Sequence, residues 1–549
     1  MPSRQQQYTT QSIKEITMKH TIRILAVLLA VLMLAGCVQT GPEATDPSAS
    51  EPTKDNNSMN PGDLFGPKPD DATAPTGGGN EQIVVEAEDS LLFRPVEAGT
   101  GDVTPIYHDG KYYVFFLHST KYRWCYMTTT DFVNYSDITV LRNFGGTGDV
   151  LYVDGTWHIF ASLVEEGNEI IHHYTGETLE TMRDTYQTIP ASGEFSSNAW
   201  RDPRVWYDET IGKYRMLVTT NYNDKNSVNR NGAIATLTSD DLYNWTVEGP
   251  WFAPGFYSGS CECPDYFKMG DWYYTVYSDC SYGKRTYYAK SKSPNGPWEI
   301  PDDDLFDSLF FYAAKTVSDG ENRYALGWAG DRSGATLELD ASFTQIDPDF
   351  ATIKYAGTMI VHKIEQLPNG DLVAVPVQEQ IDSFTTAVKN KFTPLQGDWQ
   401  TGDDWANVTC ENGYAALLMQ NLPDSCTFSF KLKVDAKQAG IALNVNSTFA
   451  DKGYHFVFDR QYNRLKHVSG ALSGVMGYYF PYDTELERPI TFEDGKIYDV
   501  TVLVDGPIAI VYVDGECALT TRMTTTTGLA LGLFCYAGSA EFTDFTMHK

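Results

Sequence analysis

Basic residues are scarce in this chain. Its 549 residues carry 41 Lys and Arg against 72 Asp and Glu, a formal charge of −31. That balance repels nucleic acid and anionic membrane surfaces; it suits a soluble surface and a neutral substrate. Cysteine is scarce too, with nine residues and no metal-ligand spacing among them. Cys261 and Cys263 flank Glu262, and such a pair on a strand is no zinc site. There is no His/Cys cluster and no phosphate-cradling glycine loop, so no metal or organic cofactor is expected. Long 3.6-residue apolar patterns are nearly missing, which excludes a helical fold. Short alternating strands with Gly, Asp and Asn turns stand in their place, rich in aromatics (34 Tyr and 11 Trp). The expected class is all-β. The chain is too long for one ordinary core, so two folded domains are expected.

The N-terminus reads as an export signal. From Met18, the expected start, come Lys19, His20 and Arg23, then the apolar run Ile24 to Leu34, then Leu34-Ala35-Gly36-Cys37. A basic start, a short apolar core and small residues before the cut describe a signal peptide, not a spanning helix. The Leu-Ala-Gly-Cys ending resembles a bacterial lipobox. It implies cleavage before Cys37, a lipid on the Cys37 thiol, and anchorage on the extracellular face of a bacterial membrane. Residues 38–80 are rich in Pro, Ser, Thr, Asp, Asn and Gly. Such a segment buries no core and is expected to be a flexible tether.

One pattern then recurs five times: an acidic or polar residue, a turn glycine, and an aromatic-rich strand. The turn glycines are Gly110, Gly155, Gly212, Gly270 and Gly320, spaced 45 to 58 residues apart. That is the period of propeller blades, each copy being strand, tight turn, strand. Six to ten residues before four of these glycines stand Asp102, Asp149, Asp202 and Glu262. Equivalent places on the innermost strands of a propeller all face its axis, so the four carboxylates are expected to converge. Beyond about residue 385 the strands alternate evenly with hairpin turns, as in a β-sandwich. The expected layout is a signal over 1–37, a tether over 38–80, a propeller over 81–380 and a sandwich over 381–549, the last a structural support.

Two carboxylates flanking a scissile bond are what glycoside cleavage needs. One attacks the anomeric carbon, one protonates the leaving oxygen, and a third can hold the sugar hydroxyls. Crowded like charges raise the pKa of one member of such a cluster. Three local motifs carry these groups: Gly101-Asp102-Val103-Thr104-Pro105, Trp200-Arg201-Asp202-Pro203 and Glu262-Cys263-Pro264-Asp265. In this form and order the chain resembles glycoside hydrolase family 32, the β-fructosidases. Arg201-Asp202-Pro203 is similar to that family's Arg-Asp-Pro motif, and Glu262 to Asp265 to its Glu-Cys-Pro-Asp motif. Phe311 to Lys315, with Gly327-Trp328, resembles its fifth-blade segment, and residues 508–522 resemble its C-terminal sandwich. The resemblance implies a five-bladed β-propeller followed by a β-sandwich, and a substrate with β-fructofuranosidic bonds: fructan, fructo-oligosaccharide or sucrose. It implies Asp102 as nucleophile, Asp202 as transition-state stabiliser and Glu262 as general acid/base. On this reading Arg201 lies beside Asp202, helps keep it ionised and is a substrate-binding residue. Trp124, His118 and Trp200 are candidate walls of the sugar pocket, with Tyr126. Asp149 either binds substrate or closes a turn.

The chain departs from the family in three places. Gly101 replaces the Asn before the nucleophile, Leu117 replaces a Gln after the aromatic strand, and Gly145-Gly146-Thr147-Gly148-Asp149 replaces a Ser-Gly-Ser segment. Two other readings stand beside the first. One is an inverting five-bladed glycosidase active on arabinan or xylan, against which the Glu-Cys-Pro-Asp motif argues. The other is a surface lipoprotein that binds fructan without cutting it, against which a protonating Glu argues.

Overall fold

The computed structural model describes residues 84–549, apart from 122, 223–230, 258, 280–284, 333–334, 341–342, 348–352, 420–421, 446–452, 470–485 and 524–529. The predicted signal with Cys37, and the predicted tether, lie outside the described residues. Among those residues no helix is long and apolar enough to cross a membrane.

The five turn glycines each join the innermost strand of a blade to its neighbour. Blade one is Thr100–His108, Lys111–His118, Arg123–Thr129 and Thr139–Val140. Blade two is Gly148–Val153, Thr156–Glu165, Asn168–Gly176 and Arg183–Ile189. Blade three is Phe195–Asp208, Lys213–Tyr222, Gly232–Ser239 and Thr246–Phe252. Blade four is Glu262–Met269, Trp272–Asp279 and Arg285–Ser291, and blade five is Tyr312–Ser318, Arg323–Arg332, Ile353–Gln366 and Leu372–Val375. All pairings are antiparallel. In blades one and two the turn is Asp-Gly with both residues at positive φ (Asp109 48°, Gly110 75°; Asp154 48°, Gly155 82°). That twist matches the flanking strands and needs a glycine at its second place.

A pairing of Thr100 with Gly357 joins blade five to blade one. On the other side of Gly357 the neighbouring strand of blade five comes so close that a Cβ would lie 1.8 Å from the Ala329 carbonyl oxygen. Aromatic and aliphatic side chains fill the space between blades: Phe115, Phe144, Ile159 and Tyr174 between one and two, Phe160, Trp200, Met216 and Leu237 between two and three. Each blade buries both faces, which explains the long apolar runs in the middle strands.

A five-residue helix, Gln378–Asp382, leads to the sandwich. Two long strands, Ala406–Met419 and Ala530–His548, belong to both of its layers. The inner end of the last strand pairs with Gln438–Val445 and its outer end with Ser425–Val434. The bend lies at Ala537 and Gly538, both at positive φ. Sandwich and propeller share one apolar cluster, with Phe306, Phe310 and Tyr288 packed among Leu503, Val511 and Leu519. Its polar groups are paired. Asp307 accepts from Thr520 N at 2.7 Å and contacts His362 Nε2 at 2.9 Å, while His362 Nδ1 meets the Tyr512 hydroxyl at 2.9 Å. These donors hold the Asp307 carboxyl below its usual range against the opposing effect of burial.

Candidate active site

A repeated irregularity builds the site. In four blades the innermost strand spends three residues where its neighbour spends two. Gly101 pairs with Leu117 and Thr104 with Phe115; Arg201 with Thr219 and Arg204 with Leu217. Glu262 pairs with Ser278 and Asp265 with Val276; Tyr312 with Trp328 and Lys315 with Leu326. The extra residue is a β-bulge that re-aims a side chain. Asp102, Asp202, Cys263 and Ala313 occupy it, all at positive φ (32°, 53°, 49° and 54°). Asp102 and Asp202 are therefore true equivalents. Glu262 sits one residue earlier, at the place of Gly101, Arg201 and Tyr312, so the shared register expected for the carboxylates needs correction. Counting back from a turn glycine does not see a bulge.

Asp149 departs further. It pairs with Phe160, the fifth residue of its strand, as Phe115, Leu217 and Val276 are of theirs. That places Asp149 level with Thr104, Arg204 and Asp265, one layer below the site. It is wholly buried. Arg204 Nη1 reaches its Oδ1 at 3.3 Å and Val205 N donates to its Oδ2 at 2.6 Å, while Arg204 Nε contacts Asp265 Oδ1 at 2.7 Å. Lys315 Nζ donates to the carbonyls of Gly148 and Pro203 at 2.8 and 2.9 Å. This layer plugs the axis and cross-links blades two to five. Of the two roles open to Asp149, the geometry assigns the structural one.

Above the plug, Asp102 is held by three donors. Thr147 Oγ1 reaches its Oδ2 at 2.5 Å, Tyr355 OH the same oxygen at 3.2 Å, and Trp328 Nε1 its Oδ1 at 3.1 Å. Asp202 Oδ2 accepts from Thr219 Oγ1 and from Cys263 N, both at 3.1 Å. Glu262 takes Arg201 Nη2 on Oε1 at 2.7 Å and the Tyr312 hydroxyl on Oε2. Arg201 also donates from Nη1 to Glu169 Oε2 at 3.2 Å, and its Nε lies 3.7 Å from Asp202. Glu169 is buried on blade two and accepts from Trp200 N at 2.7 Å.

Burial raises the carboxyl of Asp102 above its usual range, and Glu262 adds to that, while Thr147, Trp328 and Tyr355 oppose it. Asp202 is pushed up to about 7 by burial; Arg201 pulls it back, and Glu262 and Asp102 push further. The crowding expected from the sequence thus acts on Asp202.

The predicted walls fare differently. Trp124 and Trp200 are buried blade core, their indole N–H groups tied to the Gly146 and Ile189 carbonyls at 3.2 and 2.9 Å. His118 is buried opposite Thr100, with Nδ1 accepting from Lys121 N at 3.3 Å. Burial lowers its pKa to about 4, so it stays neutral. None of these three presents an open face to a sugar, and all three correct the expectation that they wall the pocket. Arg201 lies between Asp202 and Glu262. Tyr312, Trp328, Tyr355, Thr147 and Glu169 complete the cluster. Tyr312 and Trp328 lay in motifs already visible; Tyr355 lies outside the repeat and carried no signal. It also explains one departure, since a Cβ on Gly101 would lie 2.4 Å from its hydroxyl.

Residues 103–345 match the family profile described as the glycosyl hydrolases family 32 N-terminal domain. The match falls within the propeller. A levanbiose-producing levanase of Bacillus subtilis (strain 168) is 23% identical over 333 residues, covering 52% of this chain and 60% of that enzyme. The aligned part of the chain thus spans less than two thirds of that relative. Among solved structures, fructan 1-exohydrolase IIa from Cichorium intybus superposes with a TM-score of 0.63 at 13% identity, over 84% of this chain and 97% of that one. Exo-inulinase from Aspergillus awamori gives 0.61 at 15% identity, over 83% and 96%. At such identities the superpositions establish the all-β fold of five-bladed propeller and sandwich. The Arg201-Asp202-Pro203 and Glu262-Cys263-Pro264-Asp265 segments both lie within the matched residues and supply Arg201, Asp202 and Glu262 to the site.

Proposed function

We propose that this protein is a glycoside hydrolase that cleaves β-fructofuranosidic bonds in fructans, fructo-oligosaccharides or sucrose, with retention of configuration. The observation that carries the proposal is the meeting of Asp102, Asp202 and Glu262 within a propeller that matches the family 32 N-terminal profile. The Asp102 carboxylate attacks the anomeric carbon as the bond to the leaving oxygen breaks, and Glu262 gives its proton to that oxygen. A fructosyl ester on Asp102 results. Glu262 then takes a proton from water, whose oxygen attacks the anomeric carbon and frees Asp102. Arg201 and Tyr312 donate to Glu262 when it is ionised between these steps. Asp202 hydrogen-bonds the sugar hydroxyls and strengthens its hold as positive charge grows on the ring. The steps use these side chains and water, and chelator-treated protein should keep its full rate.

The test is incubation with sucrose, inulin, levan, arabinan and xylan, with and without methanol. Release of fructose, and a methyl fructoside of β configuration, are expected. Arabinose or xylose as the product would overturn the substrate class, and an α-methyl fructoside the stereochemistry. The lipobox motif supports a further part of the proposal, that the protein is held outside the cytoplasm by a lipid on Cys37. Labelled fatty acid should enter the wild type and not Cys37→Ala; equal labelling would refute it.

A further inference from the structure

The propeller axis opens at its other end as well. There the innermost strands finish around a cavity of about 630 Å³, lined from all five blades and separated from Asp102 by the Asp149–Arg204–Asp265 plug. Tyr107, Tyr152 and Tyr207 line it and pair with Tyr112, Trp157 and Tyr214, each the second residue of its strand. The three tyrosines are thus one position repeated in successive blades. They are 38, 37 and 52% exposed. Each packs part of its ring on its cross-strand partner, with centroids 4.9 to 5.2 Å apart, and leaves the rest of the ring open at the rim. Arg323 stands beside them in the lining. Its guanidinium lies 3.9 Å over the Phe267 ring, and Nη1 donates to Thr316 Oγ1 at 2.8 Å. Among the described residues no carboxylate lies in salt-bridge contact with it; Asp265 acts on it from further off and is in direct contact with Arg204 instead.

We propose that this distal mouth is a second, non-catalytic ligand site that takes a short neutral oligosaccharide. Sugar faces would rest on the exposed tyrosines, which present a large rigid surface with a polar tip. Sugar hydroxyls would take the free N–H groups of Arg323, which has five donors in a fixed fork. The cavity is of the size that encloses small ligands, roughly 300–1,000 Å³. A polyanion fits less well: Asp154 lines the same cavity, and the chain carries a formal charge of −31. The site is distinct from the carboxylates, and binding there needs no hydrolysis.

The experiment is titration calorimetry on the full chain carrying Asp102→Asn, with fructo-oligosaccharides, xylo-oligosaccharides and inorganic phosphate as probes. One of the two saccharides should bind at two sites. Adding Tyr152→Ala and Tyr207→Ala should leave one site, or weaken the second at least tenfold, while Tyr207→Phe alone should retain it. Arg323→Gln should weaken the same site about tenfold. In the chain with Asp102 intact, the double tyrosine variant should keep its rate on a small substrate. A single site in both backgrounds, a second site that survives the substitutions, or binding of phosphate alone would overturn the proposal. Tyrosine-dependent binding without any hydrolysis would sink the hydrolase reading and leave this one standing.

Discussion

Arg201 Nη2 donates to Glu262 Oε1 at 2.7 Å across the boundary between blades three and four. The guanidinium does not float free. Glu169, from blade two, holds its other end at 3.2 Å and is itself anchored by Trp200 N. Glu169 is buried and does not face the reacting atoms, so it is a positioning residue. Glu169→Gln keeps an acceptor for Trp200 N but leaves Arg201 with less charge to lean on. We expect kcat to fall on the order of tenfold, the cost of about 1.4 kcal/mol, with KM changed much less. A purely structural role would lower the melting temperature and leave the kcat of the folded fraction intact; steady-state kinetics beside a thermal melt separates the two.

Glu262→Gln should discriminate between leaving groups. Removing a positioned acid costs roughly 10²–10⁴-fold where the leaving oxygen needs a proton. An activated aryl fructoside needs little protonation, and its ester should form at near wild-type rate. Burst kinetics on both substrates reads this directly. Equal loss on the two would mean that Glu262 is not the acid, and the selective pattern in Asp202→Asn would exchange their roles.

Asp202 links stability to pH. Its carboxyl sits at about 7 in the folded chain, against about 3.9 when unfolded. The folded state therefore holds a proton that the unfolded state has released, and stability falls as pH rises from about 4 to about 7. Asp202→Asn removes that dependence. Above pH 7 the variant should be more stable than the wild type by up to about 4 kcal/mol, while its activity is lost. Melting temperatures of both proteins between pH 4 and pH 8 should converge at the acid end; a constant difference across the range would contradict the linkage.

Asp149 should behave as a strut. Breaking a buried ion pair from one side costs roughly 3–5 kcal/mol because the partner is left uncompensated. Asp149→Asn should lower the unfolding midpoint by several degrees and leave KM for sucrose or fructo-oligosaccharide unchanged. A raised KM at unchanged stability would return Asp149 to the substrate.

The sandwich and the propeller should unfold together. Their shared cluster and the Asp307–Thr520–His362–Tyr512 chain leave no plane along which they part without exposing apolar surface and buried polar groups. A scanning calorimeter should record one transition. A chain ending at residue 380 should aggregate, and a soluble, active propeller from that truncation would refute the coupling.

What could be read from the linear chain was whatever repeats or stands in a contiguous motif. The five glycine turns set the blade count, because each tight turn needs a local sequence and the period needs only counting. The even alternation beyond residue 385 showed a sandwich for the same reason. Asp102, Asp202, Glu262 and Arg201 lay in short motifs, and all four meet in the site. The tertiary structure alone decided how deep each residue sits. A β-bulge adds one residue and changes which layer a side chain enters, so Asp149, in apparent register with Asp102, falls into the plug. Trp124, Trp200 and His118 read as sugar platforms because aromatic character is visible in sequence and burial is not. Glu169 and Tyr355 reach the site from outside the repeated motifs. Contacts of that kind arise when five separate strands close around one axis, and no local pattern carries them.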